Sequence, residues 1–82
     1  MLSEGYVIME DRILEILAEI NEDIIDYDGE NMYEEGVISS MDVVEIVSEL
    51  ENEFDIEIDI DDIVSKNFAN KETIIALVES ML

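Results

Sequence analysis

The stretch that decides the fold is residues 39–54, SSMDVVEIVSELENEF. Its apolar residues recur every three or four positions, which is the spacing of one face of an α-helix. They are Val43, Ile46, Val47, Leu50 and Phe54. Ser39 and Asp42, three positions apart, match the capping box that pairs free backbone N–H groups at a helix start. The pattern predicts an amphipathic helix that begins at the serine pair Ser39-Ser40 and ends near Phe54.

Two further amphipathic helices flank this one in the sequence. The first covers about residues 8–25. The apolar residues of its stripe are Ile13, Ile16, Leu17, Ile20 and Ile24. The last begins after Asn70 as its N-cap and continues to Leu82. Its apolar residues are Ile74, Leu77, Val78 and Met81. Helices of this kind bury their stripes against one another, so we predict a helical bundle.

The connection between the first two helices is long. Residues 26–39 lose the helical period and include the turn signal Asp28-Gly29. A loop of about a dozen residues allows helices one and two an arrangement other than a tight hairpin.

The second connection has a different pattern. Ile56, Ile58 and Ile60 alternate with acids in the two-residue period of a strand, but no second run exists to pair with them. We expect an extended segment whose isoleucines fill the core, then a short helical turn near Asp61 to Ser65 and a link at residues 67–69. The predicted fold is therefore all-α. It is a small four-helix bundle in one domain, residues 1–82, with three main helices plus a short third helix.

The chain is strongly acidic. It has 24 Asp and Glu against 3 Lys and Arg in 82 residues, a formal net charge of -21. This charge excludes binding to nucleic-acid phosphates or anionic membranes and predicts basic protein partners. The 49% hydrophobic content separates the chain from an acidic disordered tail. Since no basic region or sustained apolar stretch opens the sequence, we expect a cytoplasmic protein without membrane insertion. We also expect a monomer.

The residue types argue against catalysis and against a metal site. The sequence contains no Cys and no His, and its serines have no obvious base. We therefore predict that the chain is not an enzyme. Two runs resemble calcium loops, but the one starting at Asp26 has Asn31 where the glycine belongs, and the one starting at Asp55 has Ile60 there. No metal ligands are predicted.

The serine pair has two interpretations at this point. In the plainer one, Ser39 caps the helix and Ser40 is an ordinary first-turn residue. In the other, Ser40 stands beside a docking surface, because Met41, Val44 and Ser48 form a small side face apart from the main stripe. Three acids flank that face: Asp42, Glu45 and Glu49. Helical periodicity alone favours neither interpretation.

A resemblance to a known family favours the second interpretation, in which Ser40 has a functional role. Residues 36–47, GVISSMDVVEIV, and residues 50–54, LENEF, resemble the acyl carrier protein family. The similarity continues through the helix exit at residues 54–58, FDIEI, to the last helix, and so covers nearly the whole chain from about Glu10. In that family a D-S-[LM] motif opens the second helix of a four-helix bundle. Its serine carries 4'-phosphopantetheine, which a dedicated transferase attaches.

The resemblance implies that Ser40 carries the 4'-phosphopantetheine arm from coenzyme A, with Ser39 as the alternative. Ser39 stands where the family usually has Asp, and a serine can cap the helix in its place. The arm would hold acyl or aminoacyl groups as thioesters for enzymes of fatty acid, polyketide, peptide or D-alanyl transfer pathways. Ser40-Met41, the FDI exit and Asn67-Phe68 look more like D-alanyl and aminoacyl or peptidyl carriers than the fatty-acid type.

The resemblance also implies partners. A phosphopantetheinyl transferase and acyl- or aminoacyl-processing enzymes would read the acidic face of helix two through basic patches. The partner-binding residues would be Met41, Asp42, Val44, Glu45, Ser48, Glu49 and Glu51. Two other classes stay open: an acidic helical interaction protein without a prosthetic group, and a calcium-binding helical protein. Addition of one arm's mass by a transferase and coenzyme A would separate them from a carrier.

Overall fold

The computed structural model describes the backbone of residues 2–82 and the side chains of residues 9–82. The all-α prediction is confirmed, and residues 2–82 contain no β-strand. The helices are α1 (Leu2–Ile20), α2 (Asp23–Asp26), α3 (Ser40–Phe54) and α4 (Lys71–Met81). α1 packs against both α3 and α4. None of the helices within residues 2–82 combines the length and apolar character that a membrane span requires.

The first helix is longer than predicted at its start and broken near its end. The predicted start near residue 8 is wrong, because no proline stops the helix from extending back to Leu2. The predicted continuity to residue 25 is also wrong. Asn21 breaks the helix, since its Oδ1 accepts a hydrogen bond from Asp23 N at 3.0 Å and its Nδ2 donates to Val37 O at 3.1 Å. α2 then turns Ile24 into the core, fully buried.

The helical stripes pack as predicted. The buried core contains Ile13, Ile16, Leu17 and Ile24 from the first stripe, Val43, Ile46 and Leu50 from α3, and Ile74, Leu77 and Val78 from α4. The remaining stripe residues pack against it half-buried: Ile20, Val47, Phe54 and Met81. Burial of such side chains is the main source of stability in a chain without disulfides.

Residues 27–39, the connecting loop, are held down by two buried residues that the helical patterns do not include. Met32 is fully buried and donates its backbone N–H to Ala69 O at 2.8 Å, and Ile38 is buried beside it. Farther out, the Tyr27 hydroxyl donates to Glu35 Oε1 at 2.8 Å. A Cβ at Gly29 would lie 2.5 Å from the Tyr27 hydroxyl, so a larger residue there would displace the Tyr27 side chain from its place beside Glu35.

Residues 55–70, the link, connect α3 to α4 through two 3₁₀ turns, Ile60–Asp62 and Ser65–Phe68. These replace the single short helix predicted near Asp61 to Ser65. The first turn stays short in part because the Asn67 Nδ2 donates to Asp62 O at 2.7 Å and draws the chain into the second turn.

The isoleucines of the link do not all fill the core. Ile58 is buried and Ile56 is half-buried, but Ile60 is 79% exposed, so the prediction is wrong for that residue. The reason is that the extended alternation stops at Asp59 and the chain coils at Ile60, which turns this side chain away from the core. Phe68, predicted to be in a plain link, is 1% exposed and fills the core instead.

Candidate functional site

The start of α3 carries the capping box that the sequence predicts. The Ser39 Oγ accepts a hydrogen bond from Asp42 N at 3.2 Å, and Ser39 N donates to the Asp42 Oδ2 at 3.1 Å. Two N–H groups at the helix start are thereby satisfied. The Ser39 hydroxyl and the Asp42 carboxylate are therefore both engaged within the helix start.

Ser40 follows as the first residue of α3, and its environment differs. It is exposed, and its hydroxyl makes no hydrogen bond to any of the described residues. The backbone before it is anchored, because the N–H groups of Val37 and Ile38 both donate to Met32 O, at 2.8 and 3.2 Å. Ser40 thus presents an accessible hydroxyl from a fixed point, at a helix N-terminus where free N–H groups favour a phosphate.

An apolar cleft of about 200 Å³ opens beside Ser40. Its lining comes from α3, the connecting loop and the link: Tyr33, Ser40, Val43, Val44, Ile63, Val64, Ser65 and Phe68. Side chains hold its outer wall, since the Asn31 Nδ2 donates to Ser65 O at 3.3 Å and the Ser65 Oγ donates to Glu34 Oε2 at 3.1 Å. The helical periodicity of the sequence does not predict this cleft. Its only local signal was the adjacent apolar pair at positions 63 and 64 beyond the predicted helical stripes.

The predicted partner-binding residues separate into two groups. Met41 and Val44 are 70% and 62% exposed, and Ser48, Glu45 and Glu49 are exposed with them on the outer side of α3.

Glu51 and Asp42 are different from these five. Glu51 is half-buried, and its Oε2 accepts a hydrogen bond from Ile58 N at 2.8 Å, which holds the start of the link against α3. Asp42 is half-buried in the capping box. Both carboxylates thus support the local fold.

Arg12 is placed at the other end of α3. It donates to Glu15 Oε1 at 2.8 Å and to Glu53 Oε1 at 3.1 Å, which joins α1 to α3. The hydrogen bond to Glu53, followed by that to Glu15, raises the pKa of Arg12. At a rise of about 1.5 Å per residue, Glu53 lies about 20 Å along α3 from Ser40. Arg12 is therefore too far away to neutralise the acids around the start of α3.

No metal-binding arrangement is present among the described side chains. In this part of the chain no three acidic residues converge in a way that could hold an ion. Of the runs that resemble calcium loops in the sequence, the one from Asp26 begins at the last residue of α2 and continues into the connecting loop, and the one from Asp55 lies in the link.

Comparison with known proteins identifies the family. The family model described as a phosphopantetheine attachment site matches residues 11–79. The D-alanyl carrier protein of Staphylococcus saprophyticus is 30% identical over 73 residues, which are 87% of this chain and 94% of that protein. Those of Streptococcus sanguinis and Streptococcus gordonii are each 43% identical over 47 residues, 56% of this chain. The chain spans 60% of the length of these two streptococcal relatives.

The start of α3 fits the prosthetic group of this family, a covalently attached 4'-phosphopantetheine. It offers an accessible hydroxyl, helix N-terminal amides suited to a phosphate, and an apolar cleft beside them. Members of the family are carriers, which work with transferases and processing enzymes. The match over residues 11–79, and the relative covered almost end to end, lead to one conclusion: the chain belongs to the phosphopantetheine-binding family of carrier proteins.

Proposed function

We propose that this chain carries a D-alanyl group, as a thioester, on a 4'-phosphopantetheine arm attached to Ser40. The observation that carries the proposal is the difference between the two adjacent hydroxyls. The Ser39 Oγ accepts the hydrogen bond of Asp42 N, whereas the Ser40 hydroxyl is exposed and has no partner among the described residues. Ser39 therefore shapes the helix start, and Ser40 is the acceptor for the arm.

The residues around Ser40 would hold and orient the group. The amides at the start of α3 that the capping box leaves free would stabilise the negative charge of the phosphate. Val43, Val44 and Phe68 line the apolar side of the cleft, along which the arm can lie. When bound, the group supplies a thiol that forms a thioester with the carboxyl carbon of the cargo. The carrier would present the thioester to partner enzymes, which would perform the chemistry.

Two observations support a small cargo and favour D-alanine over a fatty acyl chain. The relatives that match are D-alanyl carrier proteins. The cleft of about 200 Å³ is smaller than the roughly 300–1,000 Å³ of pockets that enclose a drug-sized ligand. Beneath it, Phe68 and Val43 close the way into the core, at 1% and 8% exposure. A D-alanyl group needs no deeper chamber.

The exposed face of α3 is the proposed contact for partner enzymes. Met41, Val44 and Ser48 would form its centre, and Glu45 and Glu49 would attract basic residues on the partner. Asp42 and Glu51 add negative charge from positions where their carboxylates also hold the fold. Long-range attraction of this kind raises association rates and weakens with salt.

Intact-mass analysis tests the attachment site. The chain is incubated with coenzyme A and a broad-specificity phosphopantetheinyl transferase. Wild type and Ser39→Ala should each gain the mass of one arm, and Ser40→Ala should gain none. An arm on the Ser40→Ala chain would contradict the assignment. A wild-type chain that gains no mass would favour an acidic interaction protein without a prosthetic group.

A loading assay tests the cargo. The chain bearing the arm is offered D-alanine with ATP and an ATP-dependent D-alanine-activating ligase, and in parallel a fatty acid with ATP and an acyl-activating ligase. We expect a hydroxylamine-sensitive D-alanyl adduct in the first reaction. L-alanine serves as the matched control. Efficient loading of the fatty acid in place of D-alanine would overturn the cargo assignment.

A further inference from the structure

One corner of the cleft wall is closed by a ring of hydrogen bonds between the connecting loop and the link. The Asn31 Oδ1 accepts from Tyr33 N at 3.0 Å and from Glu34 N at 2.9 Å, which fixes the loop backbone. The Asn31 Nδ2 donates to Ser65 O at 3.3 Å, and the Ser65 Oγ donates to Glu34 Oε2 at 3.1 Å. Glu34 is therefore held at the outer wall of the cleft through both its backbone and its carboxylate.

The Glu34 carboxylate can accept more than this one hydrogen bond. An ionised carboxylate offers about four lone-pair positions on its two oxygens, and the Ser65 hydroxyl uses one of them. Among the described side chains, no Lys or Arg forms a salt bridge with Glu34. The neighbouring Glu35 is engaged differently, since its Oε1 accepts from the Tyr27 hydroxyl at 2.8 Å. Because Glu34 is exposed, a charged N–H donor at the cleft mouth can reach its carboxylate.

The other charged groups near the cleft are placed differently. Among the described residues, Glu34 is the only acid hydrogen-bonded to a side chain that lines the cleft. On α3, Asp42 is engaged in the capping box, and Glu45 is exposed on the outer side of the helix. On the link, Asp62 and Lys66 line a separate groove formed with α4. A cationic group in the cleft therefore has its fixed acceptor at Glu34.

We propose that Glu34, held by Ser65 and Asn31, accepts the α-ammonium group of an aminoacyl cargo at the edge of the cleft. An apolar cleft with one fixed anion at its wall matches a small aminoacyl group, which combines an apolar side chain with a positive charge. Ser40 and Ser65 line the same cleft, so the end of a flexible arm can fold back to this wall. The inference deepens the proposed function and rests on it, because the cargo is attached through Ser40. A fatty acyl group has no ammonium and gains nothing from Glu34.

NMR spectroscopy of an isotope-labelled cargo tests the role of Glu34. A broad-specificity phosphopantetheinyl transferase attaches the arm and its cargo together from D-alanyl-coenzyme A, so that loading does not depend on a D-alanine ligase. The chemical shift of the labelled alanyl Cα then follows the protonation of the cargo amine as pH is varied. Since a nearby anion favours the protonated form, Glu34→Gln should lower the pKa of this amine. Its neutral fraction, at a pH below that pKa, should rise about threefold or more.

Two further variants separate a local contact from the general charge of the chain. Glu30→Gln is the matched control, because it removes the same charge from an exposed position in the same loop. Its neutral fraction should stay within about 1.5-fold of wild type, since water and salt screen a charge outside the cleft. Ser65→Ala should change the fraction in the same direction as Glu34→Gln but less, because Glu34 keeps its charge and loses its orientation.

The outcomes separate the role of Glu34 from the proposed function. Because Glu34 and Glu30 are exposed, both glutamine variants should unfold at temperatures close to that of wild type. Equal neutral fractions for Glu34→Gln and Glu30→Gln would overturn the role of Glu34. Failure of the wild-type chain to take the loaded arm would contradict Ser40 as the attachment site, and the role of Glu34 with it. A Glu34-dependent amine pKa in a chain that the D-alanine ligase does not load would contradict the D-alanyl assignment alone.

Discussion

The starts of α3 and α4 have the same local chemistry and different surroundings. At α3, Ser39 and Asp42 form a reciprocal capping box. At α4, the Asn70 Oδ1 accepts from Thr73 N at 2.9 Å, and Asn70 N donates to the Thr73 Oγ1 at 3.2 Å. Each start therefore satisfies its N–H groups in the same way.

The surroundings decide which start is available to other molecules. The box at α4 is half-buried, and the Thr73 hydroxyl also lies within hydrogen-bond distance of Asn67 O and Asn70 O, at 3.0 and 2.9 Å. The box at α3 is largely exposed, with Ser40 and an apolar cleft beside it. A capped helix N-terminus is thus common to both, and the accessible hydroxyl with its cleft is particular to α3.

Moving the serine to α4 tests most directly whether the surroundings of the α3 start are needed. Lys71→Ser in the Ser40→Ala chain places a serine directly after the N-cap of α4, as Ser40 follows the N-cap of α3. We expect no arm addition by the transferase, because the groove beside that helix start is lined mostly by polar residues such as Lys66, Asn67 and Thr73 rather than by apolar residues like those beside Ser40. Intact-mass analysis measures it, with the wild-type chain as the positive control. Addition of an arm to this double variant would show that a serine after an N-cap is sufficient by itself.

The two boxes should also differ in what they contribute to stability. Thr73→Val keeps the shape and removes a half-buried hydroxyl, which leaves polar backbone groups unpaired, so we expect a loss of about 1–3 kcal/mol in the free energy of unfolding. Asp42→Ala opens the largely exposed box, in which Asp42 is half-buried, and also removes one negative charge, so we expect a loss below about 1 kcal/mol. Urea unfolding of both variants measures the difference. A larger loss of unfolding free energy for Asp42→Ala than for Thr73→Val would show that the box at α3 contributes more to stability than the box at α4.

The end of α3 offers a gain in stability that its start does not. Asp55 caps this end in the left-handed conformation, with φ 54, and its N–H donates to Glu51 O. Asp55→Gly should raise the free energy of unfolding by up to about 1 kcal/mol, because glycine adopts this conformation without strain. Asp59→Gly is the matched control, since it removes the same charge at an ordinary φ of -68 and should not stabilise. A similar gain in both variants would assign the effect to charge.

The smallest expected effect concerns the loop that leads to α3. Burial, followed by the hydrogen bond to Glu35, raises the pKa of Tyr27. This contribution to stability is fully present below the unfolded pKa of about 10 and is lost as pH rises through the higher folded value. Unfolding between about pH 8 and 11 should therefore show a slightly steeper decline for wild type than for Tyr27→Phe. The same pH dependence of unfolding in wild type and Tyr27→Phe would show that titration of Tyr27 does not affect the stability of this loop.

Features that depend on neighbours in the chain could be predicted from the sequence. The stripe of α3, both N-caps and the buried side of α4 follow from a 3.6-residue period and from side chains three positions apart, and the structure has each of them. The same local patterns predict the place of the serine pair at the start of α3. Capping chemistry also predicts that Ser39 is the cap, whereas the exposure of Ser40 is seen only in the structure.

Features made by residues far apart in the chain depend on the tertiary structure. Asn21 ends α1 with the help of Val37, Met32 anchors the connecting loop to Ala69, and the cleft wall depends on the contact of Asn31 with Ser65. The same packing buries Phe68 and leaves Ile60 outside, although both are apolar. A local period shows which residues can share a face, but only contacts between segments determine which face the core covers and which it leaves to a partner.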